Sequence, residues 1–358
     1  MVVTMDLPVM PPIAPMLARA VADLPVGEFS YEPKWDGFRA IVFRDGDEVE
    51  IGSRNGRSMT RYFPEVATAA AAGLPARCVV DGEIVVPDPE RGRLDFEALQ
   101  QRIHPADSRV KLLAQRTPAH LVEFDLLALD DRDLTGEPFR ERRYALEEVL
   151  AHAPPPIHLT PATSDPAVAG RWFDEFEGAG LDGVVAKPLE VTYHPGRRVM
   201  YKIKHVRTAD CVVAGYRTYT SDEQAVGSLL LGLYDDAGLL VHVGVVGAFS
   251  AARRRALFRD LQPLVTSFEG HPWDSDSGAA EVRTPRSSAS SRWSAGKDLT
   301  FVPLRPERVL EVRYDHMEGD RFRHTTQFVR WRPDRDPNSC RFSQIEEPVG
   351  YDLADVLR

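Results

Sequence analysis

Short alternating runs dominate the first half of the chain. Phe29–Glu32, Ala40–Arg44 and Val49–Gly52 mix apolar and polar positions and are bounded by Gly, Asp or Asn, which predicts strands. Ser53-Arg54-Asn55-Gly56 ends the third with a turn dipeptide. Cys78–Val86 predicts a strand pair or a bend around Asp81-Gly82, and the apolar run His120–Leu129 a strand. Helices are expected over Phe63–Ala72, Phe96–Ile103 with Asp95 as N-cap, Glu141–Ala151 and Arg171–Gly178, and further strands over Leu181–Ala186 and Val199–Val206. The proline-rich residues 5–25 predict an extended arm over the surface.

After His205 the texture changes. Cys211–Tyr216, Ser228–Tyr234, Leu239–Gly244, Val309–Tyr314 and Gln327–Arg332 predict short strands, interrupted by one helix over Ala251–Leu261. That pattern fits a small β-barrel of the OB type. Segment 271–298 is rich in Ser, Gly and Arg and predicts a mobile loop. The boundary is expected near Arg207, giving domains 1–207 and 208–358, and 358 residues is a length that suits two domains.

Composition adds exclusions. At 43% hydrophobic and 27% charged, the chain is an ordinary globular mixture, not collagen, coiled coil or disorder. No apolar run approaches a bilayer span, and the N-terminus lacks a secretory pattern, so a cytoplasmic protein is expected. Cys78, Cys211 and Cys340 are isolated and form no C-x-x-C pair, which argues against a zinc module. The net charge of −10 argues against a nucleic-acid partner on average. Residues 283–341 nevertheless hold 13 Lys+Arg against 8 Asp+Glu. Arginine supplies nearly all the cations. The lysines are Lys34, Lys111, Lys187, Lys202, Lys204 and Lys297. A guanidinium stays protonated in proteins, whereas an amine can become a nucleophile.

The chemistry centres on Glu32-Pro33-Lys34-Trp35-Asp36-Gly37-Phe38-Arg39. Lys34, once deprotonated, is suited to attack phosphorus, Gly37 to close approach of backbone to a ligand, and Arg39 to a phosphate or ribose oxygen. A surface hairpin explains the same stretch equally well. No Walker A loop, HExxH or Rossmann fingerprint is present.

The chain resembles the covalent nucleotidyltransferase superfamily of ATP-dependent DNA ligases and mRNA-capping enzymes. Lys34–Arg39 matches the signature Lys-x-Asp-Gly-x-Arg, and Ser53–Gly56, Val80–Glu83, Glu123–Asp125, Asp182–Lys187 and Lys202–Lys204 follow in the family's order. Arg305–Val312 and Arg330–Arg335 resemble the OB half of bacterial ligases. The resemblance implies an α+β fold: a nucleotidyltransferase (ATP-grasp-like ligase) domain of antiparallel sheets with flanking helices, then an OB barrel. It implies Lys34 as the nucleophile that takes AMP from ATP. It further implies Glu32 on the adenine amino group, Phe124 stacked on adenine, and Arg39 and Arg54 on ribose and phosphate. Glu83 is implied at ribose or metal, Lys187, Lys202 and Lys204 at phosphate, and Arg330, Arg332 and Arg335 at the departing pyrophosphate. Asp182 stands where the family usually has glutamate, and is implied as a metal ligand with Glu83. Read without the family, Phe124 is a core-strand residue and the arginines are surface turn residues.

The implied reaction is ATP-dependent sealing of a nick in duplex DNA, with Mg²⁺ or Mn²⁺. The enzyme is expected as a nucleoid-associated monomer with no membrane attachment, serving accessory repair alongside a repair polymerase. The alternatives are an RNA ligase, a capping-type guanylyltransferase, or a non-catalytic DNA-binding module.

Overall fold

The computed structural model describes residues 5–274, 283–285, 300–345 and 350–357. They form two compact units: residues up to Lys204 together with the C-terminal segment, and residues from His205 onward to that segment. The C-terminal residues 350–357 thus belong to the first unit, not to the second as expected. Their apolar side chains Leu353 and Val356 are buried in a cluster made otherwise by the first unit.

Two sheets make the first unit. The larger runs Ile157–Leu159, His120–Leu129, Arg77–Val85, Phe38–Asp45, Glu48–Ser53, with Arg132–Asp133 paired to His120–Leu129. Its central ladders are antiparallel, and Ile157–Leu159 is parallel to its neighbour. Side-chain alternation divides it. Ala40, Val42, Val80 and Ile84 face helices such as Pro64–Gly73 and Phe139–Leu150, while Ile41, Phe43 and Val79 pack with Met16 of the N-terminal arm and Met200 of the smaller sheet. Arg77–Val85 is one strand with a bulge at Asp81/Gly82, which resolves the expected bend. Asp95 caps the helix Phe96–Gln101 as expected, and a helix not foreseen spans Asp107–Arg116.

The smaller sheet runs Leu17–Ala20, Arg198–Ile203, Val184–Pro188, Phe29–Pro33. The N-terminal arm is therefore a structural part of the unit rather than a surface strap. Leu17–Ala20 pairs parallel to Arg198–Ile203, and Leu7, Val9 and Met16 are buried. Proline removes donors but not apolar area, so the segment lies between sheets where burial is favourable.

The second unit is an antiparallel five-stranded sheet ordered Leu240–Val246, Asp222–Tyr234, Arg207–Tyr219, Val302–Tyr314, Gln327–Trp331. Helix Ala251–Leu261, capped by Ser250, packs Leu257 and Leu261 into its core. Among the described residues the sheet does not close into a barrel ladder; its edges meet at the isolated bridge Val246↔Thr326. The final strand is five residues long against thirteen in its neighbour, too short to carry a closing ladder. Most of the expected loop 271–298 lies outside the described residues, but its start is buried: Trp273 is 1% exposed and donates to the Leu240 carbonyl.

Candidate active site

Register in the small sheet builds one wall of the site. Ala20, Lys202, Val185 and Glu32 stand in a row across four strands. Because side chains alternate, Lys187, Met200 and Ala18 share that face. All seven line a cavity of about 520 Å³, a volume suited to a small ligand. Arg39, Glu83 and Phe124 from the large sheet, with Lys34, Trp35 and Arg54, add to the lining.

Lys34 lies just past the strand Phe29–Pro33. Its backbone is held on both sides by the loop before Val184–Pro188: Lys34 N–H donates to the Gly183 carbonyl at 2.8 Å, and Asp182 N–H donates to the Lys34 carbonyl at 2.9 Å. Gly183 (φ +113°) is required there, because a Cβ would meet the Ile203 carbonyl oxygen at 2.1 Å. The Lys34 ammonium pairs with Asp182 Oδ2 at 2.7 Å, and Lys204 Nζ reaches the same oxygen at 2.7 Å. Burial alone would raise the Asp182 carboxyl, but the two ammonium groups hold it below its ordinary value. Lys202 is pushed down by burial and by the neighbouring Lys204 and Lys34.

Gly37 serves a neighbouring strand rather than a ligand. A Cβ there would stand 2.2 Å from the Ile84 carbonyl oxygen, so glycine lets the Lys34 turn lie against Arg77–Val85. The Gly37 N–H also donates to the Glu83 carboxylate. Burial pushes the Glu83 carboxyl up to about 7, against the opposing pull of Arg39 and Lys34.

Ion pairs on buried carboxylates set the remaining walls. Arg39 forks onto Asp81 at 2.5 and 2.7 Å, and its guanidinium lies 4.4 Å from the Phe124 ring centroid. Tyr193 Oη donates to Asp81 at 2.8 Å and accepts from Met16 N–H at 3.1 Å, tying Arg39 to the N-terminal arm. Lys187 pairs with Glu32 Oε2 at 2.7 Å, donates to the Phe124 carbonyl at 2.8 Å, and stands 4.6 Å from its ring centroid. Burial raises the Glu32 carboxyl and lowers the Lys187 ammonium, each opposed by the other's charge. Glu32 Oε1 is buried with no hydrogen-bond partner among the described residues; Arg143 Nη1 stands 3.8 Å from it.

The structure therefore brings together Glu32, Lys34, Arg39, Arg54, Glu83, Phe124, Lys187 and Lys202 around the cavity, with Asp182 paired to Lys34 and Lys204 paired to Asp182. Arg330, Arg332 and Arg335 lie in the second unit. There Arg330 pairs with Glu311, Arg332 with Asp210 and Asp334, and Arg335 with Asp210. Sequence reasoning passed over Pro15–Ala20, Trp35, Arg198 and Met200, which also line the cavity, and Arg143 behind Glu32. The alternation in Arg198–Ile203 signals Arg198 and Met200 once Lys202 is placed. Nothing local signals the arm. Among the described residues no three His, Cys, Asp or Glu side chains converge as a metal cage.

The two-unit fold and a ligand-sized cavity lined by cations suit a nucleotidyltransferase, and the sequence comparisons give the family. Residues 13–204 match the model of the ATP dependent DNA ligase domain, and residues 222–335 that of the ATP dependent DNA ligase C terminal region. The chain belongs to the ATP-dependent DNA ligase family. It is 63% identical over 357 residues to DNA ligase C of Mycobacterium tuberculosis, covering 99% of each chain. It is 64% identical over 346 residues to DNA ligase C2 of Mycolicibacterium smegmatis, covering 96% of this chain and 97% of that one. A multifunctional non-homologous end joining DNA repair protein of M. tuberculosis is 33% identical over 332 residues, covering 91% of this chain but 39% of its own. A solved Lig E DNA ligase, 18% identical, covers 89% of this chain and 100% of its own at a TM-score of 0.55, a likeness of fold. No helix among the described residues is long and apolar enough to cross a membrane.

Proposed function

We propose that this ligase seals nicks through a covalent adenylate on Lys34. Lys34 Nζ, as the neutral amine, attacks the α-phosphorus of ATP; a P–N bond forms, the bond to the β-phosphate oxygen breaks, and pyrophosphate leaves. The AMP then passes to the 5′-phosphate of a nicked duplex and frees the lysine. Attack by the 3′-hydroxyl on that phosphate displaces AMP and joins the strand. The carrying observation is a lysine in the wall of a ligand-sized cavity that also gathers Arg39, Arg54, Lys187 and Lys202 for a polyphosphate.

The base is read by Glu32 and Phe124. The unpartnered Glu32 Oε1 would accept from the adenine 6-amino group, and guanine would set a carbonyl oxygen against it. Phe124 supplies the stacking face, and Arg39, Arg54 and Glu83 the ribose and phosphate contacts. Lys187, Lys202 and Lys204 serve the α-phosphate, and Arg330, Arg332 and Arg335 the pyrophosphate.

Glu83 and Asp182 would hold the divalent cation. Mg²⁺ and Mn²⁺ favour hard oxygen ligands, and Mg²⁺ commonly binds through one or two carboxylates with water and substrate phosphates, so the pair fits without a protein cage. When bound, the cation offsets charge on the phosphoryl oxygens. A repair role is supported by the relative named as an end joining DNA repair protein, and the proposal places it in the bacterial cytoplasm at the nucleoid, alongside a repair polymerase. The test is sealing of a labelled nick with ATP or GTP, on DNA or RNA. ATP-dependent DNA sealing supports the reading; GTP dependence or RNA preference favours the capping-enzyme or RNA-ligase alternative.

A further inference from the structure

The C-terminal segment is built into the unit that carries the nucleophile. Leu353 and Val356 are each 3% exposed and pack in one apolar cluster with Trp35, Val85, Val122, Phe176 and Leu181. Leu357 joins its edge, and the Tyr351 ring lies 5.0 Å from that of Phe176. Polar contacts fix the register. Asp352 caps a helical turn over Leu353–Asp355 by accepting from Ala354 N–H. Leu353 N–H donates to the Gly92 carbonyl at 2.8 Å, and His158 Nδ1 lies 3.1 Å from the Leu357 carbonyl oxygen.

Members of this cluster adjoin the reacting groups. Trp35 follows Lys34 and lines the cavity. Leu181 precedes Asp182, whose backbone and carboxylate both engage Lys34. Val85 lies on the Glu83 strand. The indole Nε1–H donates to Thr160 Oγ1 at 2.8 Å, so one edge of Trp35 is anchored by a hydrogen bond and the ring by the apolar cluster. Without the tail the cluster that holds Trp35 and Leu181 loses Leu353 and Val356, and the Lys34 turn keeps its backbone hydrogen bonds with less apolar packing behind them.

We propose that residues Tyr351–Leu357 position Lys34 for attack by clamping Trp35 and Leu181. The segment touches no substrate. This inference rests on Lys34 as the nucleophile. The positioning residues are Leu353 and Val356, and a clamp acts on the rate of covalent labelling rather than on the binding of ATP.

The experiment uses full-length protein carrying Leu353→Asp with Val356→Asp, and a second protein ending at residue 349, assayed with and without a synthetic peptide of residues 350–358. Single-turnover labelling by ATP gives the rate constant and the half-saturating ATP concentration. Hydrogen exchange measured on residues 30–40 reports the Lys34 turn independently of chemistry. The expected result is a labelling rate at least tenfold slower, half-saturating ATP within twofold, faster exchange at residues 33–37 with Ala40–Asp45 unchanged, and recovery of both readouts with the peptide. Parent-like labelling and exchange overturn the clamp, as does a loss confined to the unfolded fraction. If the parent protein itself takes no label, the reading of Lys34 fails, and exchange at residues 33–37 still decides whether the tail clamps the turn.

Discussion

Arg39 and Lys187 show how the site fixes its cations. Lys187 is buried against Glu32, Arg39 is half-buried against the fully buried Asp81, and each lies near the Phe124 ring. Removing one member of such a pair leaves the other charge desolvated. Arg39→Ala is expected to destabilise the first unit by about 3 kcal/mol, seen as a lowered midpoint in urea, because Asp81 is fully buried. Arg39→Lys keeps the charge but loses the fork, and should raise the half-saturating ATP concentration about tenfold with the fold intact. An unchanged ATP response in the lysine variant would remove Arg39 from the nucleotide site. Glu32→Gln tests base reading: selectivity for ATP over GTP in covalent labelling should fall about tenfold, and undiminished selectivity would assign the base to other groups.

These residues were singled out through the family resemblance, from short motifs in the family's order, and they line one cavity. Their supporting partners were not legible in the sequence. Asp81, Tyr193 and Met16, which hold Arg39, come from three distant segments, and no local pattern links them. Arg143 read as an ordinary helix residue, although it is 8% exposed and approaches Glu32.

At the scale of elements, the period of two carried most of the reading. Strands and helices of the first unit were legible wherever alternation or a cap was strong. The arm was misread because proline masks alternation. The last strand was legible, but not barrel closure, which depends on how far a ladder runs and not on which residues alternate. The parallel pair His120–Leu129 and Ile157–Leu159 brings two histidines together, His120 Nδ1 and His158 Nε2 at 2.9 Å. Burial, with His158 nearby, lowers His120 to about 4, and burial also lowers His158. The unfolded chain binds protons near pH 6.5 while the folded chain does not. Their stabilising contribution is therefore present above about pH 6.5 and is lost as pH falls towards 4. Thermal midpoints should drop between pH 7 and 5, and less so in His120→Gln. Equal slopes in the two proteins would contradict the assignment.

For the whole molecule, a net charge of −10 must be reconciled with a polyanionic substrate. The cations are concentrated rather than abundant: the cavity collects arginines and lysines in the first unit, and residues 283–341 carry a positive excess. Binding to a nicked duplex should weaken linearly on a log–log plot against salt, with a slope of about −0.9 for each phosphate neutralised. A flat dependence would mean that this local excess does not meet the DNA. The chain's change in texture after His205 falls where the second compact unit begins. The return of the chain to the first unit was not legible in the sequence, because Tyr351–Leu357 is too short to signal its partner.

The central claim is a phosphoramidate on one amine, and its most direct measurement is peptide mapping of the protein after incubation with labelled ATP and a divalent cation. The account predicts an acid-labile adenylate confined to the peptide containing Lys34, discharged by nicked DNA and absent from Lys34→Arg. Adenylate on any other residue, or labelling that survives Lys34→Arg, would contradict it.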